Sequence, residues 1–131
     1  MFLEHLITEP FLGADPAFGV PEITDIHYDV WLLRITLHFE RLDAPVYVEF
    51  DGIRGFRVLD EADLLEFWNL EERVKGWLRC VKSGGWSALE STRSGFVSGI
   101  TANYEEYLLA GMNDCISILA FAPPKIYVPT P

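Results

Sequence analysis

Positive charge is scarce in this chain. Ten Lys and Arg stand against 20 Asp and Glu in 131 residues, a formal net charge of -10. A protein that grips a phosphate backbone needs a basic face, so nucleic acid is not an expected partner. Cysteine is scarcer still. Cys80 and Cys115 are too few for a disulfide scaffold and form no C-x-x-C pair, so both read as small buried hydrophobes. No apolar run approaches the roughly 18–20 residues of a membrane helix, and a membrane partner is not expected. Residues 1–5 carry no Lys or Arg, so the positive start of a signal peptide is missing and a cytoplasmic location is the expectation.

The chemistry-bearing patterns are equally thin. His5, His27 and His38 have no ligand spacing, so neither a metal site nor any other cofactor is expected. Ser83-Gly84-Gly85-Trp86 lacks the Gly-Lys-Ser/Thr ending of a phosphate loop and reads as a tight turn. Cys115 follows Asp114, but neighbouring strand residues point to opposite faces. Asp114 therefore closes a turn and Cys115 begins a buried face. These readings point away from an enzyme.

What the chain does have is apolar mass. Half the residues are hydrophobic and 14% are aromatic, enough for one compact domain over residues 1–131. Pro10, Gly13, Pro16, Gly19 and Pro21 make residues 1–22 a coil-like segment packed on the body by Phe11, Leu12 and Phe18. Trp31, Leu33, Ile35, Leu37 and Phe39 then alternate with Leu32, Arg34, Thr36, His38 and Glu40, the period of a half-buried strand. Residues 23–29 form its hairpin partner, with a bend near Asp29 and Val30. Val46, Val48 and Phe50 begin another strand, interrupted by Gly52 and Gly55. Asp60 with Asp63 has the spacing of an acidic capping box, and Leu64, Leu65 and Trp68 mark one apolar side of a short helix over 61–69. Residues 73–82 return to period two, while the Ser- and Gly-rich stretch 89–100 reads as a loop with a short element. Residues 104–110 and 115–122 form a hairpin closed by Gly111-Met112-Asn113-Asp114. Ile126-Tyr127-Val128, set between prolines, is restricted to an edge strand or a docked tail. The expected fold is α+β, mainly antiparallel sheet with one short helix.

Four tryptophans are many for this length. Trp31 and Trp68 fall on apolar faces and read as core. Trp77 shares the outer face of its strand with Arg73, Lys75 and Arg79, and Trp86 sits in a Gly-rich turn. Exposed Trp beside Arg is the composition of an interface hot spot, so these five residues are the candidate protein-binding site. Two alternatives stand beside that reading: stacking of Lys75 or Arg79 on Trp77 within the monomer, and cross-strand pairing of the bases with Glu49 and Asp51.

Two stretches together resemble small uncharacterised bacterial proteins. They are Gly55-Phe56-Arg57 leading to Asp60-Glu61-Ala62-Asp63-Leu64-Leu65, and Glu106-Tyr107-Leu108-Leu109 followed by Asn113-Asp114-Cys115-Ile116-Ser117-Ile118. With Gly84-Gly85-Trp86 and Pro123-Pro124, their order over residues 45–126 resembles immunity proteins of contact-dependent or polymorphic toxin systems. That resemblance implies a cytoplasmic binding protein that neutralises a cognate toxin by direct contact. The charge is compatible with a basic toxin: residues 1–33 hold six acids and no Lys or Arg. The alternatives are a small enzyme or ligand-binding domain with a pocket between sheet and helix, and a homodimer paired through 126–128.

Overall fold

The computed structural model describes residues 7–60, 76–83, 85–86 and 104–129. Among them are nine strands and one 3-10 turn, Pro16–Phe18. In chain order the strands are β1 (Ile7–Pro10), β2 (Glu22–Tyr28), β3 (Leu32–His38), β4 (Val46–Asp51), β5 (Ile53–Asp60), β6 (Leu78–Ser83), β7 (Glu105–Ala110), β8 (Asp114–Ala120) and β9 (Lys125–Tyr127). They form two antiparallel sheets, one of five strands in the order β1-β6-β7-β8-β5 and one of four in the order β2-β3-β4-β9.

This corrects the α+β expectation. The helix predicted over 61–69 lies outside the described residues, and the elements of the described chain are antiparallel strands apart from one 3-10 turn. The apolar row of β3 needs a cover. Instead of a helix, the inner faces of the two sheets cover one another, as in a sandwich. Leu33, Ile35 and Leu37 lie opposite Phe50, Val48 and Val46 of β4. Tyr107 and Leu109 of β7 lie opposite Ile118 and Ile116 of β8. All ten belong to a single buried cluster. At about 25 cal/mol per Å² of apolar surface, burial on this scale is the main stabilising term.

Local chemistry decides where the strands bend. In β2 the register shifts between Ile23 and Asp25, so one extra residue lets both Ile23 and Ile26 face the core. Gly52, at φ +67, turns the chain from β4 in one sheet to β5 in the other. Pro10 ends β1 at a sheet edge, and β9 is a three-residue edge strand on β4, as its prolines require. The hairpin of β7 and β8 forms as its pattern predicts, but it is buried on both faces. The outward side holds Leu108, Ala110 and Cys115, packed against Leu59 and Val81. In the N-terminal segment Phe11 and Phe18 pack on the core, whereas Leu12 is fully exposed.

Candidate functional site

The residues singled out by the sequence do not gather on the surface. Trp77 is 1% exposed and Arg79 is 2% exposed, so neither is open to a partner. Two causes combine. Strand β6 lies between β1 and β7, so both its edges are paired within the sheet and Arg79 lies against β1. Trp77 also precedes the first paired residue and escapes the alternation, so that Trp77 and Leu78 enter the same core cluster. Arg79 turns to Thr8, its Nε donating to the hydroxyl and its Nη2 to the backbone carbonyl at 3.2 Å. Glu49 and Asp51, the predicted cross-strand partners, lie on the other sheet from Arg79. Arg34 takes Glu49 at 2.6 Å, and Lys125 stands 4.0 Å from Asp51. Arg73 and Lys75 lie outside the described residues. Trp86 is half-buried: its backbone N–H donates to the Glu106 carboxylate at 2.9 Å, and its ring carries the Arg57 guanidinium 5.2 Å from the centroid.

The most exposed aromatic among the described residues is Trp31. It extends the alternation of β3 by one step, yet it is 82% exposed because pairing begins at Leu32. Asp29 causes the break. Its Oδ1 accepts from the backbone N–H of Trp31 at 3.1 Å and of Leu32 at 2.9 Å. Its own N–H donates to the Leu32 carbonyl at 3.2 Å. This side-chain-capped turn holds Val30, 70% exposed, at φ +81. A β-branched residue at positive φ is a true outlier. Such strain is worth roughly 1–3 kcal/mol and collects at functional positions.

Two neighbouring loops complete this end of the sandwich. The Gly52 N–H donates to the Trp31 carbonyl at 3.4 Å, and the Phe121 N–H donates to the Gly52 carbonyl at 3.3 Å. Phe121 is half-exposed, with the Arg54 guanidinium 6.0 Å from its ring centroid. Tyr28, also half-exposed, meets Phe56 edge-on with centroids 5.5 Å apart. Trp31, Val30, Tyr28 and Phe121 thus share one tip, built on turns tied together by backbone hydrogen bonds.

Beside Phe121 opens a recess of about 150 Å³, lined among others by Tyr104, Glu105, Tyr107 and Pro123. The Tyr107 hydroxyl donates to the Glu105 carboxylate at 3.2 Å. Burial pushes the Tyr107 phenol well above its usual range, and the charge of Glu105 raises it further. The recess is smaller than the roughly 300–1,000 Å³ typical of small-molecule sites. Its size suits a single side chain better than a cofactor.

Elsewhere the reactive groups are dispersed. Among the described residues no three His, Cys, Asp or Glu converge as metal ligands. His27 and His38 are exposed on the four-stranded sheet, as the pattern of β3 predicts for His38. Cys115 is buried, and burial also raises the Cys80 thiol above its ordinary value. Sequence reasoning missed Trp31 by carrying the alternation through it. The available signal was Asp29, a turn former two residues before the Trp.

Compared with models of known protein families, with curated proteins and with solved structures, the chain matches none.

Proposed function

We propose that this chain is a non-enzymatic binding protein that engages a basic protein through the tip carrying Val30 and Trp31. Masking a cognate toxin in the manner of an immunity protein, in the cytoplasm, is the form of this activity that the sequence resemblance implies. The observation that carries the reading is Trp31 itself, a large apolar side chain held in water on a strained turn that the Asp29 side chain caps. Trp is the residue type most enriched among interface hot spots, and preorganisation lowers the entropy lost on binding. Exposed acids stand on the segments that lead to this tip (Asp25 in β2, Asp29 in the turn, Asp51 at the end of β4) within a chain of net charge -10. Such a surface steers a basic partner and sets a salt-dependent association rate.

The test compares tagged wild-type protein with Trp31→Ala in capture from the source cells at low and high salt. The expected result is a basic protein retained by the wild type at low salt and lost with Trp31→Ala. The two baits should unfold at the same temperature, because an exposed substitution changes stability by only about 0.5 kcal/mol. Equal capture by both baits, or none by either, overturns the reading. Elution of the purified chain as a tight dimer whose contact includes Trp31 would assign the tip to self-association instead.

A further inference from the structure

We propose that the recess beside Phe121 receives one cationic side chain, an Arg or Lys, of the protein that docks on the Trp31 tip. The proposal deepens the binding reading above and rests on it. Three observations converge. The lining brings Tyr104 and Phe121 together with Glu105, and aromatic residues beside one negative charge are the elements that hold a guanidinium or ammonium. Glu105 is uncommitted in charge: its hydrogen bond comes from the neutral Tyr107 hydroxyl, and among the described residues no cation pairs with it. Lys82, on the neighbouring strand β6, stands 3.8 Å from Glu9.

Size and position narrow the occupant further. About 150 Å³ admits the head of one long side chain, and a substrate of ordinary size needs more. Phe121 hydrogen-bonds to Gly52, which hydrogen-bonds to Trp31, so the backbone beside the recess adjoins the turn that carries the exposed indole. Phe121 already stands beside a guanidinium, that of Arg54. Because Arg54 is exposed, water screens its repulsion of a second cation.

The full chain, labelled with nitrogen-15, is titrated with N-acetyl-arginine methylamide and separately with the norleucine analogue, which has an apolar stem and no charge. Saturable shifts are expected at the amides of Glu105, Phe121 and Ala122 with the arginine compound. The norleucine compound should bind roughly tenfold more weakly or not at all. Glu105→Gln keeps an oxygen for the Tyr107 hydroxyl and should weaken arginine binding by a similar factor. Equal binding of the two compounds to the wild type overturns the proposal without any variant. So do shifts scattered over all surface carboxylates, or an unchanged titration of Glu105→Gln. If the recess fails this test while the Trp31 tip still captures a partner, only the recess proposal falls. Loss of Trp31-dependent capture with arginine binding intact removes the partner reading instead.

Discussion

The indole N–H of Trp77 donates to the backbone carbonyl of Asp15 at 3.0 Å, joining positions 62 residues apart. The same ring meets Phe39 edge-on at 5.2 Å between centroids. One side chain thus ties the N-terminal segment, the four-stranded sheet and the start of β6 together. Trp77→Phe keeps most of the ring and removes the donor, so it should cost about 1 kcal/mol. Trp77→Ala also leaves a cavity and should cost roughly 3–5 kcal/mol. Urea unfolding of the two variants separates these contributions. Equal losses would show that the hydrogen bond, rather than the packing, anchors the segment.

Val30 sets stability against function. Val30→Gly relieves a positive φ worth roughly 1–3 kcal/mol. Against this stands the extra freedom of glycine in the unfolded chain, which costs roughly 0.5–1 kcal/mol. The variant should therefore be more stable by about 1 kcal/mol, read from the denaturation midpoint. It should also bind its partner less tightly, since the turn that presents Trp31 loses its rigidity. A destabilised variant would mean that the Val30 side chain is held by favourable contacts.

Gly85 is required by its surroundings. A Cβ built there would meet the Glu106 carboxylate and come within 2.7 Å of Val81 Cγ1. Glu106 is only 7% exposed and accepts from the Trp86 backbone, so it has little room to yield. Gly85→Ala should destabilise by roughly 1–3 kcal/mol through overpacking. A calorimetric midpoint equal to that of the wild type would show that this corner relaxes freely.

Alkaline pH should weaken the fold. The Cys80 thiol and the Tyr107 phenol are both raised, chiefly by burial. Between the unfolded and folded pKa of each group, the native chain keeps a proton that the unfolded chain has lost. Stability is therefore full below the unfolded values and falls as pH rises through the folded ones. The decline begins near the ordinary thiol range, about pH 8.5, and continues past the tyrosine range near 10. Thermal midpoints measured across that interval check this. Cys80→Ala should remove the earlier part of the fall and spare the later part.

Most strands were legible because their signals are local. The alternation of β3, the prolines around β9 and the glycine-rich turn between β7 and β8 each specify geometry within a few residues. The hairpin of β2 and β3, with its irregular join at Asp29 and Val30, was legible for the same reason. The site was not. Its tip depends on one side chain capping a turn, and period-two counting cannot detect where such a cap stops a strand. Trp31 was therefore assigned to the core and Trp77 to the surface, the reverse of their places in the structure.

Composition and pattern alone determined an acidic, antiparallel, strand-rich body, since net charge and two-residue periodicity are properties of the chain itself. Which sheet each strand joins was decided only by tertiary structure. Alternation shows that a strand has an apolar face but not what covers it. The answer, a second sheet reached through Gly52, depends on contacts between distant residues. The same contacts close Trp77 and Arg79 inside and leave Trp31 exposed.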